Sequence, residues 1–353
     1  MIEHGIRRRL EAREDNLSRF AQRSSLSNGR KSPEEPSLMR TDYQRDRDRI
    51  IHSKSFRRLK HKTQVFIAPT GDHYVTRLTH TIEVSQVART IARSLNLNED
   101  LTEAIALAHD LGHSPFGHLG EEALNELHPD GFAHAEQSLR VVDCLENNGT
   151  GLNLTYEVKQ GILNHSKPRS SLKSLRNEPH QTLEGQICRL SDAIAYINHD
   201  MDDAIRARII QESDLPNSIH ERLGKNHRER LNTLITNIVE ESWDAAGETS
   251  HLGSEPPHIK MSSRIEETVL EMREFLFQKV YLPNGRGTAI GEEAWQAVMA
   301  LYDHYSKHPD EIPSEYGTTV ENVNQRTVDY ISGMTDTYAL KAYKETRNKK
   351  HIR

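Results

Sequence analysis

The stretch Leu101–Gly120, LTEAIALAHDLGHSPFGHLG, decides how this chain is read, because apolar helix residues run into a dense set of metal-capable and proton-transferring side chains. Leu101, Ala104, Ile105 and Ala108 recur at helical spacing, which predicts a buried helix ending near His109 and Asp110. Gly112 and the Ser114-Pro115 pair then break it. His113, His118, Glu121 and Glu122 follow within a dozen residues. A sharp turn that carries further ionisable groups past a His-Asp pair is how a site is built.

Upstream, His80 opens LTHTIEVSQVARTIARSL, and Val84, Val87, Ile91 and Leu95 continue a helical stripe from it. Two antiparallel helices in succession would set the start of the first beside the end of the second, bringing His80 near His109 and Asp110. Downstream, FAHAEQSLRVVDCL predicts a helix with His134 near its start. Thr182 to Arg208 predicts a long helix with a split character: Leu183, Ile187, Leu190, Ile194 and Ile197 form an apolar face, while Asp192, Tyr196 and Asp200 recur every fourth residue on the other. That pattern suits a helix separating core from cleft. Thr63–Ala68 and His73–Thr76 flank Pro69-Thr-Gly-Asp and predict a short β-hairpin over 63–76, with Gln64 and Arg77 at its roots.

The expected fold is therefore all-α with that one hairpin. Its organisation would be an N-terminal helix and loop over 1–40, a catalytic core over 41–210 and a helical C-terminal region over 211–353 packed on the core. With a net charge of -6, the chain is not a general polyanion binder, and a small anionic ligand suits it better. Two cysteines, Cys144 and Cys188, are too few for a disulfide framework and suit a reducing cytoplasm. The chain lacks an apolar signal core and any run of about 18 apolar residues, so a cytoplasmic, unanchored protein is expected. Asn284-Gly-Arg-Gly-Thr is not the dinucleotide fingerprint, and Gly29-Arg-Lys-Ser lacks the upstream glycine of a P-loop.

A His-Asp dipeptide alone means little in a chain with 20 histidines, and His199-Asp200 is a second one. The ordered set His80, His109-Asp110 and Asp192 means more, since two imidazoles and two carboxylates suit a borderline to hard divalent ion with positions left open for water and substrate. This series, with LAHDLGHSPFGHLGEEAL, RIIHSKSFRRLKHKTQVF, HAEQSLR, SDAIAYINHD and YISGMTD around it, closely resembles the HD-domain deoxynucleoside triphosphate triphosphohydrolases, the dGTPase family. The likeness runs from Thr41 to Tyr343 and leaves 210–260 poorly matched.

The resemblance implies a helical HD fold, usually assembled as a homo-oligomer, that cuts a dNTP to a deoxynucleoside and inorganic triphosphate. It places one divalent ion (Mn, Mg, Fe, Co or Ni) on His80, His109, Asp110 and Asp192. It implies proton transfer by His118, and Glu121, one helical turn on, could orient that histidine. His113 and His134 would line the α-phosphate, Arg77 the triphosphate, and Gln64, Tyr196 and Asp200 the sugar. Another HD phosphohydrolase, such as a nucleoside monophosphate phosphatase, would share the metal ligands without Gln64, His118-Glu121 and Tyr196. A third reading, a metal-retaining nucleic-acid binder or regulator, would use the arginines of 40–58 on the phosphates of single strands. Arg45–Arg58 is also a candidate site for an activating nucleotide.

Overall fold

The Glu99–Ala108 helix begins where Asn98 caps it, the side chain accepting from Leu101 N at 3.1 Å, with Glu99 and Asp100 in a first turn that favours negative charge. Seven of its ten residues are buried, including Leu101, Ala104, Ile105 and Ala108. In the computed structural model, which describes residues 5–64, 75–166, 181–248, 256–317 and 322–351, helices are the only extended regular elements among those residues. None is long and apolar enough to cross a membrane.

The chain divides into two compact units and passes from one to the other five times, once between His109 and Asp110. The first gathers residues 1–51, 81–109 and 153–276. Here Glu99–Ala108 packs against Tyr156–Leu163 and Leu183–Arg206, and the last of these also meets His227–Glu241 and Ser263–Leu276. Leu101, Ile105, Val158, Ile162, Ile187, Ile194, Ile238 and Met272 are fully buried. Each such side chain contributes about 1.5–3 kcal/mol by leaving water. Gly161 sets the closeness of one contact: a Cβ there would lie 2.5 Å from Ile105 Cδ1.

Charged residues also organise this unit. The loop that follows the N-terminal helix is anchored by Arg30, whose buried guanidinium pairs with fully buried Asp46. The basic helix Asp42–His52 is matched by acids: Arg45 and Arg49 both reach Glu34, whose carboxyl is lowered to about 2, chiefly by the hydrogen bond from Arg49, and Arg47 reaches Glu103 at 3.2 Å.

The second unit gathers residues 52–80, 110–152 and 277–353. Its Ala289–Lys307 helix is packed by Gly117–Leu127, Val323–Ser332 and Asp336–His351. Phe116, Leu124, Trp295, Val298, Leu301, Ile331 and Met334 form the core between them.

The expected β-hairpin over 63–76 is corrected. The described residues contain no strand, only two isolated antiparallel bridges, of which one pairs Thr63 with Thr76; residues 65–74 lie outside the described residues. An isolated two-stranded ribbon is marginal in water, and Arg77, at one expected root, is already the first residue of the Arg77–Ser94 helix.

Candidate active site

In the second unit the chain leaves Asp110 through a turn that tolerates little change. A Cβ on Gly112 would lie 2.2 Å from Ser138 N, and the Gly112 N–H donates to Ser138 Oγ at 2.9 Å. Phe116 and Gly117 both take left-handed backbone, φ 64° and 59°. For phenylalanine that costs about 1–2 kcal/mol. Its buried ring and a hydrogen bond from its N–H to Asp336 Oδ1 at 2.9 Å hold it there. The other Asp336 oxygen accepts from Thr63 N at 2.9 Å. Lys62, fully buried, supports the turn as well, its Nζ donating to the carbonyls of His113 at 2.5 Å and Ser332 at 2.7 Å. Burial pushes this lysine down to about 7.

The turn and the start of the His134–Arg140 helix bring three histidines to one carboxylate. Glu121 accepts from His134 N at 2.9 Å and His134 Nδ1 at 2.7 Å, while His118 Nδ1 lies at 3.4 Å and His113 Nε2 at 3.8 Å. The His113 and His134 rings stack with centroids 4.8 Å apart. Burial alone would raise the Glu121 carboxyl, but the imidazoles, His134 first, hold it far below the usual range. Burial alone would lower His134, yet Glu121 raises it above its ordinary value. For His113 the carboxylates weigh less: burial, then the Arg77 and His134 charges, outweigh Asp110 and Glu121 and lower it well below the ordinary value. The cluster thus combines a charge-favoured His134, a neutral His113 and a His118 whose side chain is 65% exposed. Beside it, Arg77 Nη1 donates to Asp110 Oδ2 at 2.5 Å, both side chains buried, and the ligand atoms of His80 and Asp110 lie within 4.8 Å of each other. Gln64 is buried, and its Oε1 has no hydrogen-bond partner among the described residues.

The first unit carries a separate group. His109 ends the Glu99–Ala108 helix, and its Nδ1 lies 2.7 Å from the Ala106 carbonyl. A carbonyl only accepts, so Nδ1 bears the proton and Nε2 keeps its lone pair. That nitrogen is 3.8 Å from Asp192 Oδ1. Asp192 belongs to the Leu183–Arg206 helix, capped by Thr182, whose Oγ1 accepts from Gly185 N at 3.1 Å. From Leu183 to Met201 every residue is buried except Asp192, Ala193 and Tyr196, so this helix presents one accessible strip with Asp192 and Tyr196 one turn apart. Asp200, next along the expected stripe, is buried and lies 2.8 Å from His199 Nδ1. His109 and Asp110 are consecutive, so one peptide bond joins the two groups. Within each group the donors, imidazole nitrogens and carboxylate oxygens, are of the kind that fits a divalent ion.

Residues 77–197 match the HD domain and residues 259–345 the phosphohydrolase-associated domain. A deoxyguanosinetriphosphate triphosphohydrolase-like protein from Caldanaerobacter subterraneus is 52% identical over 334 residues, covering 93% of this chain and 91% of that one. Proteins of the same description from Desulfatibacillum aliphaticivorans and Clostridium tetani are each 47% identical, over 96% and 94% of this chain and 97% and 94% of theirs. The chain belongs to the HD-domain deoxyguanosinetriphosphate triphosphohydrolase-like family.

Within this HD phosphohydrolase, His80, His109, Asp110 and Asp192 all fall inside the matched HD segment, while Asp336 lies in the phosphohydrolase-associated one. Sequence reasoning missed three residues that the geometry brings forward. His165 follows a short helix with no periodic partner to flag it, and Asp336, in YISGMTD, reads as an ordinary helix-start carboxylate. Lys62, inside a basic run, reads as a solvated charge.

Proposed function

We propose that the protein hydrolyses dNTPs, dGTP or a broader set, to a deoxynucleoside and inorganic triphosphate with one divalent ion. The observation that carries this reading is the three-histidine cluster on Glu121, one turn from the HD pair, which offers a cationic donor, a neutral imidazole and an accessible proton-transfer group in one place. Held by His80, His109, Asp110 and Asp192, the ion would supply Lewis acidity toward the α-phosphate and an activated water.

The chain's own residues do the rest. His134, kept charged by Glu121, faces the non-bridging oxygens of the α-phosphate, with His113 stacked beside it. Arg77, a permanent cation, offsets the triphosphate charge. As water adds to the α-phosphorus and the bond to the 5′ oxygen breaks, His118 gives that oxygen its proton, and Glu121 orients the imidazole; the water's proton restores the histidine. Tyr196 packs under the sugar, where a 2′-hydroxyl would have no room, and Gln64 and Asp200 meet its hydroxyl. Gln64 Oε1, a buried acceptor without a partner among the described residues, supports that role. The arginines of the Asp42–His52 helix are matched by carboxylates, which weighs against a phosphate-binding face for single strands or an activator there. A cytoplasmic homo-oligomer belongs to the same proposal.

Incubating the purified protein with Mn or Mg and each dNTP, singly and mixed, then separating products by anion exchange, tests the reading. Triphosphate plus deoxynucleoside is expected, and activity only in mixtures would mean a second nucleotide site. Pyrophosphate plus monophosphate, or orthophosphate, would overturn it.

A further inference from the structure

His165 lies outside the expected ligand set, yet it is placed like a member of it. It follows the Tyr156–Leu163 helix, which Gly161 lets approach Ile105 of the helix ending in His109. The His165 side chain is 2% exposed, and its ring sits edge-on to that of His109 with centroids 5.0 Å apart. Its Nδ1 lies 2.7 Å from the Ile162 carbonyl, three residues back, repeating the His109–Ala106 arrangement. By the same logic the proton is on Nδ1 and Nε2 keeps a lone pair. The ligand atoms of His109, His165 and Asp192 all lie within 4.8 Å of one another. Two donors on opposite sides of one ion at about 2.1 Å each span about 4.2 Å, so little movement brings all three onto one centre.

We propose that His165 Nε2 is a further ligand of the divalent ion, raising its imidazole count from two to three. This rests on the metal-dependent reading above. Its consequence is metal choice: each added imidazole favours Mn, Fe, Co, Ni or Zn over Mg, which prefers oxygen donors and retains its waters.

The full-length protein, stripped with a chelator, would be titrated calorimetrically with Co(II), Mn(II) and Mg(II), alongside His165→Asn, His165→Gln and Asp192→Asn. Asparagine can still donate to the Ile162 carbonyl and lacks Nε2. The expected result is a loss of Co(II) and Mn(II) affinity of at least about tenfold in His165→Asn, with the cobalt visible spectrum altered and Mg(II) affinity changed far less. Paramagnetic NMR of the wild-type cobalt protein avoids any folding defect in the variants: three hyperfine-shifted imidazole N–H signals are expected. Two such signals, or unchanged affinity and spectrum in His165→Asn while Asp192→Asn loses binding, would overturn the His165 proposal and leave the metal reading standing. A wild-type protein that binds none of the three ions would overturn both.

Discussion

His134 Nδ1 lies 2.7 Å from a carboxylate oxygen of Glu121, closer than His118 Nδ1 at 3.4 Å from the other oxygen. The carboxylate that spacing assigned to His118 is therefore engaged first by a histidine thirteen residues away. The pH dependence of stability follows. The folded Glu121 carboxyl lies below its ordinary 4.5, so its contribution is present above that pH and fades as pH falls through the folded value. Folded His134 lies above its ordinary 6.5, so its contribution is complete below 6.5 and fades as pH rises through the folded value. The stability advantage of wild type over Glu121→Gln should thus peak between pH 4.5 and 6.5 and shrink on the alkaline side. Urea unfolding of both proteins across pH 4.5–9 measures it, and a difference flat with pH would show that the pair is not coupled.

Removing His118 should separate catalysis from folding. Its side chain is 65% exposed, so His118→Ala should move stability by no more than about 0.5 kcal/mol. Loss of a positioned proton-transfer group costs about 10²–10⁴ in rate. Thermal unfolding and dNTP turnover of one preparation give both numbers, and near-normal turnover would remove His118 from the chemistry.

Lys62 gives an alkaline signature. Burial brings it from 10.5 to about 7 in the folded protein, so between those values the unfolded chain holds the extra proton and unfolding becomes harder as pH rises. Relative to Lys62→Met, wild type should therefore gain stability from pH 7 to 10. Paired urea titrations at the two pH values check the sign; a constant difference would mean that the amine keeps its charge in its carbonyl cradle.

The helices and the HD residues were legible because a 3.6-residue period survives in single sequences: Leu101, Ile105, Ile187 and Ile194 are buried as their spacing required. The hairpin was not, because TQVFIA carries strand propensity but no partner strand signal strong enough to outweigh an isolated ribbon's marginal stability. Arg30 and Lys62 went unflagged for another reason. A buried charge is decided by partners distant in sequence, Asp46 for one and the carbonyls of His113 and Ser332 for the other, and no local pattern encodes them. His165 is the same case in the candidate site, placed by a glycine contact on a neighbouring helix.

Gly112 tests how far the turn can relax. A methyl group there meets the backbone of Gln137 and Ser138 at 2.2–2.7 Å, and backbone cannot swing aside as a side-chain end can. Gly112→Ala should cost about 2 kcal/mol or more. A urea midpoint within error of wild type would mean that the Gly112–Ser138 contact opens freely.

Asp336 ties Phe116 and Thr63 through separate carboxylate oxygens, so Asp336→Asn can accept from only one of the two N–H groups and must set an amide NH₂ against the other. Phe116, in left-handed backbone, then loses a restraint at the residue preceding the helix that carries His118 and Glu121. Displacement of catalytic groups by a fraction of an ångström is felt in the chemical step more than in binding. The expected outcome is a kcat lowered by about 10- to 100-fold with KM changed little, in a protein whose helical circular dichroism matches wild type. Steady-state kinetics on dGTP would decide it: an unchanged kcat, or a loss confined to KM, would show that Asp336 holds the fold without setting the position of the turn.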